Sequence, residues 1–307
     1  MHGLELSKKY FYECAYPILQ EKFEHILGDI TVGLVGEGSD CFGFDDNYSM
    51  DHDWGAGFCI WLSDESYRNY AKSLQEFYNL ELPSSYCGYS IKTNPINSNN
   101  RVGVISTSQF YYQFIGNIAV PENNIAWLYA PIHAYACVTN GEIFYGENTD
   151  FIKTRNVLLK GYPKDVRNKK LASQVATMGQ SGQYNYVRCL KRGDNTGAFL
   201  AKAEFIKSTA NVVHLLNNAY TPFYKWIDRS IKKQEKLSFI SEYFEKLLQI
   251  NDEKKSIDMI EFISCKIKDE LLVQKLSDGT TDFLVHHAEN IMKKIEDEEI
   301  RSLPLFF

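Results

Sequence analysis

Gly36-Glu-Gly-Ser-Asp-Cys-Phe-Gly-Phe-Asp-Asp-Asn-Tyr-Ser-Met-Asp-His-Asp-Trp54 stands between two apolar runs, 30–35 and 57–62. Both runs have the length and composition of buried strands. Gly38-Ser39 is followed, after eleven residues, by Asp51-His52-Asp53. On a strand, residues i and i+2 share a face, so Asp51 and Asp53 are expected side by side and His52 on the opposite side. Two carboxylates held that close repel unless a cation lies between them. An oxygen-only donor pair suits Mg²⁺ (or Mn²⁺), which also takes phosphate oxygens. Gly38 allows a backbone to approach a phosphate closely, and Ser39 adds a hydroxyl donor. The stretch therefore reads as a site for a metal-bound nucleoside triphosphate. Taken singly, a Gly-Ser pair is common and an Asp-x-Asp is often a solvated turn; their order between two buried runs is what carries the reading.

The composition is that of a soluble globular protein. The chain has 307 residues, enough for one large domain or two ordinary ones. It is 44% hydrophobic and 23% charged. Twenty Tyr and nineteen Phe point to aromatic-rich packing. No apolar run reaches membrane-span length, and the opening residues lack a charged-then-apolar signal. Seven Cys are scattered with no C-x-x-C, so neither a zinc site nor a disulfide framework is expected, in keeping with a reducing cytoplasm. A net charge of −6 argues against bulk nucleic-acid binding. The charge is uneven, however: 151–192 holds ten Lys or Arg against one acid, Asp165. That segment is expected to be a solvated helix face or to meet phosphates.

Taken in order, 4–28 has helical spacing, with Pro17 as a kink or a second start. Ser63-Asp64 is a capping signal for a helix to about Tyr78. The Pro, Gly and Asn content of 79–100 reads as loop, and 101–106 as a third strand. Helical patterns return over 106–115 and 125–137. Asn140-Gly141 is a turn before a short apolar run, 143–145. From there long helical spacing takes over, at 150–159, 163–190, 196–218, 222–232, 236–250, 255–275 and 282–298. The expected fold class is α/β (α+β), a catalytic domain with a small mixed sheet at 1–146, followed by an all-α helical bundle at 147–307. His214, within 196–218, reads as a satisfied core or surface histidine.

Three segments together carry a resemblance: Gly36-Glu-Gly-Ser39 with Asp51-His-Asp-Trp54; Gly182-Gln-Tyr-Asn-Tyr-Val-Arg-Cys-Leu-Lys-Arg-Gly-Asp194; and Leu216-Asn-Asn-Ala-Tyr-Thr-Pro-Phe-Tyr-Lys-Trp226. The chain resembles, over most of 30–230, a bacterial domain-of-unknown-function family of nucleotidyltransferase-like proteins. The Gly-Ser and Asp-x-Asp elements resemble those of the polymerase-beta-type nucleotidyltransferase superfamily, and the layout is similar to aminoglycoside nucleotidyltransferases. The resemblance implies transfer of a nucleoside monophosphate from a triphosphate to an unidentified acceptor, with Asp51 and Asp53 as metal ligands. In that superfamily a third carboxylate, commonly the general base, comes from a later strand. Here 101–106 carries no acid, and Ala126 and Ile132 stand where acidic residues are typical. Glu142 is the nearest substitute, with a turn residue as its plain alternative. A non-catalytic nucleotide-binding regulatory module that has lost the third carboxylate is the other function class left open.

Asn185, Arg188 and Arg192, spaced three and four apart, fall on one helix face. Two arginines there can grip a triphosphate in bidentate fashion, or close salt bridges to Asp194 or to the acidic C-terminal helices. Lys225, between Tyr224 and Trp226, is a further candidate nucleotide contact. A charge-assisted contact is worth about 1.5–3 kcal/mol, so Arg188→Ala and Arg192→Ala are each expected to weaken triphosphate affinity by about tenfold or more. Isothermal titration checks this; unchanged affinity with reduced stability would make both arginines structural.

Overall fold

The computed structural model describes residues 2–50, 54–92, 94 and 101–306. The chain divides into two compact units, Met1–Glu122 with Ala130–Lys160, and Asn123–Tyr129 with Gly161–Phe307. The first is α/β with a small mixed sheet, the second all helical.

In the first unit the order is α1 (Gly3–Tyr10), α2 (Tyr16–Lys22), β1 (Ile30–Leu34), β2 (Cys59–Leu62), α3 (Asp64–Leu80), the hairpin β3 (Ser85–Tyr86) and β4 (Tyr89–Ser90), β5 (Gly103–Ser106) and α4 (Thr107–Ile115). Helix α5 (Asn124–Tyr129) belongs to the second unit. Helix α6 (Ala134–Thr139), β6 (Glu142–Tyr145) and α7 (Asp150–Leu158) complete the first. The sheet runs β5-β2-β1-β6, with β2 and β5 parallel and the other pairs antiparallel. Ile30 pairs with Leu62, and Leu62 with Ser106.

Every residue of β1, β2 and β5 is buried, which is why their sequences are continuous apolar runs instead of alternating ones. Alternation survives in direction. Ile30, Val32, Phe58, Ile60 and Leu62 join a core with Leu6, Tyr10, Phe11, Leu74 and Phe77 from the helices of one face. Trp61 points the other way, stacked on Phe151 of α7 at 4.1 Å and edge-on to Phe110 of α4.

Several boundaries differ from expectation for local reasons. The stretch 4–28 is α1, a π-helical turn at Phe11–Ala15, α2 and a 3-10 turn at Glu24–Asp29; Pro17, which has no N–H to donate, follows the π turn. The single helix expected over 125–137 is two, α5 and α6, because Pro131 interrupts it. The division between units falls at Lys160/Gly161, beyond the boundary expected at Gly146. Helix α7 stays with the sheet because Phe151 is buried against Trp61 and because Arg155 donates to the carbonyls of Val138 (3.0 Å) and Asn140 (2.7 Å).

In the second unit α8 (Lys164–Met178) continues through a π-helical stretch, Gly179–Tyr186, into α9 (Val187–Lys191). Then come α10 (Asn195–Leu216), α11 (Ile227–Ile231), α12 (Ile240–Gln249), α13 (Glu253–Val273), α14 (Leu284–Lys293) and α15 (Glu298–Ser302). The helix expected over 282–298 is α14, which stops at Lys293, before α15 begins. Helix α8 packs against α10 and α14, and it is buried nearly all round. His214 is fully buried, its ring nitrogens 2.7 Å from the Ala210 carbonyl and 2.7 Å from Ser230 Oγ; it is a satisfied core histidine, as the sequence implied. Among the described residues no helix is long and apolar enough to cross a membrane.

The basic segment 151–192 is neither uniformly solvated nor uniformly free for phosphate. Arg155, Lys169 and Lys170 are buried and end on backbone carbonyls: Lys169 on Leu303 and Pro304 (2.9 and 2.6 Å), Lys170 on Leu128 (3.1 Å). Lys170 also lies over the Tyr162 ring. Burial without a carboxylate partner lowers its pKa to about 8 from an ordinary 10.5. Between those values the unfolded chain binds a proton that the folded chain does not, so folding is favoured as pH rises through that window. Wild type is expected to gain stability relative to Lys170→Met between about pH 8 and 10, by on the order of 2 kcal/mol. Urea unfolding at stepped pH measures it, and parallel pH profiles for the two proteins would refute it.

Candidate functional site

Strand β1 ends at Leu34, and the chain enters the loop that holds Gly38 and Ser39. The loop is fastened from several sides. The Asn140 side chain accepts from Gly36 N (2.9 Å) and donates to the Gly36 carbonyl (2.7 Å). Arg101 Nη2 donates to the Glu37 carbonyl (3.0 Å). Gly43 N and Phe44 N bond back to the carbonyls of Asp40 and Ser39 at 3.0 and 2.8 Å, closing the loop on itself, and Gly141 N reaches the Cys41 carbonyl at 2.8 Å. Gly38 has φ +139°, a region open to glycine, and a Cβ there would stand 2.5 Å from Asp40 Oδ1 and 3.0 Å from Arg101 Nη2. The position therefore needs glycine for both backbone and space. Ser39 is half-buried, and its hydroxyl makes no hydrogen bond among the described residues.

Beneath the loop is a buried ion pair. The Asp40 carboxylate bonds Lys92 Nζ, both side chains being under a tenth exposed, and its other oxygen accepts from Cys41 N at 2.9 Å. Taking two charges out of water costs several kcal/mol per ion, which the pair offsets only while both partners stay in place. Beside it, Asp45 accepts from Gly3 N at the start of α1 (2.7 Å), from His2 Nδ1 (3.0 Å) and from Trp54 Nε1 (3.3 Å). Burial pushes the Asp45 carboxyl up, but these three hydrogen bonds outweigh it and hold the group below its ordinary range. The stability it contributes is complete above the unfolded carboxylate value and is lost as pH falls through the depressed one.

The residues singled out in the sequence are placed as follows. Asp51 and Asp53 lie outside the described residues, so their expected shared strand face does too. Gly38 and Ser39 lie in the loop just described. Glu142, paired in register with Leu34, is at the same end of the sheet, and its half-exposed carboxylate is ion-paired with Lys8 of α1. Asn185, Arg188, Arg192 and Lys225 are exposed residues of the helical unit. Asn185 falls in the π-helical stretch and Arg192 is the residue that caps α9 at its C-terminus. Arg188 lies over the Tyr184 ring and donates to its hydroxyl at 2.7 Å; Lys225 lies over Trp226. Asp194 caps α10 by accepting from Gly197 N, and no ion pair joins it to Arg188 or Arg192. The salt-bridge reading of these arginines is therefore not realised within the described residues.

Sequence reasoning missed Asp40, Lys92, Arg101 and Asn140. Asp40 adjoins Gly-Ser and could have been weighed, but Lys92 and Arg101 sit in or beside a stretch that reads only as loop. Among the described residues no cluster of three or more His, Cys, Asp or Glu could hold a metal ion. Asp40 and Asp45 are already committed, to Lys92 and to the α1 terminus.

Residues 127–227, about a third of the chain, match a family described as a domain of unknown function, DUF4037. Two of the three resembling segments fall inside that match. No curated protein matches the chain. Among solved structures it is similar to a nucleotidyltransferase-like protein from Exiguobacterium sibiricum 255-15, at 12% identity and a TM-score of 0.40, over 93% of this chain and 80% of that one.

Lys92→Met leaves the Asp40 carboxylate buried and uncompensated. It is expected to cost about 3–5 kcal/mol, and Asp40→Leu combined with Lys92→Met to recover much of that. Urea denaturation of the two variants checks this; a single variant within about 1 kcal/mol of wild type would show that the pair does not hold the loop.

Proposed function

We propose that the protein is a metal-dependent nucleotidyltransferase, which moves a nucleoside monophosphate from a nucleoside triphosphate to an acceptor nucleophile. The observation that carries this reading is the turn at Gly38-Ser39. It is pinned at the end of a buried strand, its glycine is required by φ and by space, and its serine hydroxyl is unspent among the described residues. The Asp51-x-Asp53 pair follows after eleven intervening residues in the sequence.

In this reading Ser39 Oγ and the loop N–H groups donate to the terminal phosphates, and the rigid backbone fixes where they bind. Asp51 and Asp53 hold Mg²⁺ or Mn²⁺, which supplies charge neutralisation across the phosphates. Arg188, Arg192 and Lys225 are cations without carboxylate partners among the described residues, with Asn185 a neutral donor beside them, and all four are retained as candidate triphosphate contacts. The acceptor hydroxyl needs a base. Glu142 is the residue proposed, and its ion pair with Lys8 must open for it to accept a proton.

A second reading is favoured by that same ion pair and by the absence of an acid on β5, Gly103–Ser106. It is a nucleotide-binding regulatory module that keeps the loop and the carboxylate pair but performs no transfer. Pyrophosphate release separates the two, because binding alone produces none.

Asp51→Asn and Asp53→Asn are each expected to abolish Mg²⁺-dependent nucleotide binding, and any pyrophosphate release, while the protein stays folded. Titration calorimetry with and without Mg²⁺, alongside circular dichroism, makes the measurement. Nucleotide binding that survives both substitutions would overturn the proposal, and binding without turnover against pooled acceptors would select the regulatory reading.

A further inference from the structure

The opposite end of the sheet carries a second feature. Parallel neighbours β2 and β5 end side by side at Leu62 and Ser106, and each turns at once into a helix, α3 and α4. Helix α7 starts nearby. Their N-caps Ser63, Ser106 and Thr149 accept from Ser66 N, Gln109 N and Ile152 N. Because β1 is antiparallel to β2, the Gly38-Ser39 loop leaves from the other end, about 13 Å away along the strands. In open α/β sheets, ligands commonly sit outside the carboxyl ends of the strands. A groove of about 300 Å³ lies there, lined by Ser63, Asp64, Thr107, Ser108, Asp150 and Thr154 among others.

Helix N-termini alone would prove nothing, since each is satisfied by its own cap. The two threonines are a separate matter. Thr107 and Thr154 are 7% and 8% exposed, and neither hydroxyl has a hydrogen-bond partner among the described residues. Thr139, Thr177 and Thr209, also on helices, turn their hydroxyls back onto the carbonyl four residues earlier, at 2.6, 2.9 and 2.7 Å. Thr154 does not, although the same acceptor is within its own helix. Each hydroxyl keeps contact with the open groove and is left to bond whatever occupies it. The groove volume lies at the lower bound of small-ligand sites, about 300–1,000 Å³.

The lining selects the chemistry. Three helix N-termini would favour an anion, but Asp64 and Asp150 occupy their first turns. Lys153 is paired with Asp150 at 3.2 Å, so the charged lining is net negative and repels phosphate. Asp64 is anchored by the Ser108 hydroxyl on one oxygen, and its second oxygen has no partner among the described residues. Carboxylate oxygens accept from O–H groups, while Thr and Ser hydroxyls both give and take. Exposed Ile118 and Ala119 form an apolar side on which the C–H face of a ring can rest. The geometry points to a second binding site, independent of the Gly-Ser loop, for a neutral ring polyol of monosaccharide size. Asp64 accepts from its vicinal hydroxyls, and Thr107, Thr154 and Ser108 complete them.

The test is titration calorimetry of the whole protein with methyl α-glucopyranoside and with myo-inositol, and with inorganic phosphate as the anionic arm. At least one polyol is expected to bind, with Thr154→Val and Ser108→Ala each weakening it about tenfold. Thermal unfolding without ligand controls for folding: Thr154→Val buries a methyl in place of an unpaired hydroxyl and is expected to melt no lower than wild type. Absence of polyol binding overturns the inference. So does binding of phosphate in preference, or a Thr154→Val protein that folds and binds as wild type does. None of these outcomes depends on whether nucleotides bind at the other end.

Discussion

Strands β1, β2 and β5 expose none of their residues, because helices cover the sheet on both sides. That burial supplies much of the driving force of the first unit, at roughly 25 cal/mol per Å² of apolar surface removed from water. It also leaves the sheet faces no chemistry to offer. Polar side chains can reach a ligand only where strands stop, and both features of interest stand at strand ends: the Gly38-Ser39 loop after β1, and the hydroxyl-lined groove after β2 and β5. Opposite ends of the same sheet thus carry opposite character. One is a tight loop over a buried ion pair, the other a cluster of helix starts around open space.

The loop shows how position is enforced without regular structure. It has no strand partner of its own, and its backbone polar groups are instead satisfied by Asn140, Arg101 and Gly141 from distant parts of the chain. Below them Asp40 and Lys92 form a pair whose removal by halves is costly, so the loop has few low-energy alternatives. Rigid backbone with an uncommitted hydroxyl is a combination suited to binding, since little entropy remains to be lost when a ligand arrives.

Much of this architecture was legible in the sequence. The apolar runs flanking the Gly-Ser stretch are β1 and β2, Ser63 caps α3 as its residue type implies, and His214 is a core histidine. What failed did so through tertiary contacts. Nothing in Phe151 announces that it will stack on Trp61, yet that contact keeps α7 with the sheet and moves the division between units to Lys160. The ten cations of 151–192 look like one surface feature, but three of them are buried and end on backbone carbonyls. Lys92 was invisible as a site residue because its significance lies in Asp40, 52 positions away. Pro131 was visible and should have split the helix over 125–137, because the residue before a proline is biased out of helical conformation.

The π-helical stretch at Gly179–Tyr186 has a bearing on how this segment diversifies. Each π-type bond spans one residue more than an α-type bond, so the wider turn absorbs an added residue without breaking the rod. Everything after it is rotated by about 100° per added residue relative to a plain continuation of α8. Shortening the stretch by one residue would restore an ordinary helix and swing Arg188 to another azimuth, leaving α8 where it is. Length variation at this single point would thus redirect the basic side chains only by also re-seating the buried face of the stretch, where Gly182 lies against Phe205 and Ile260.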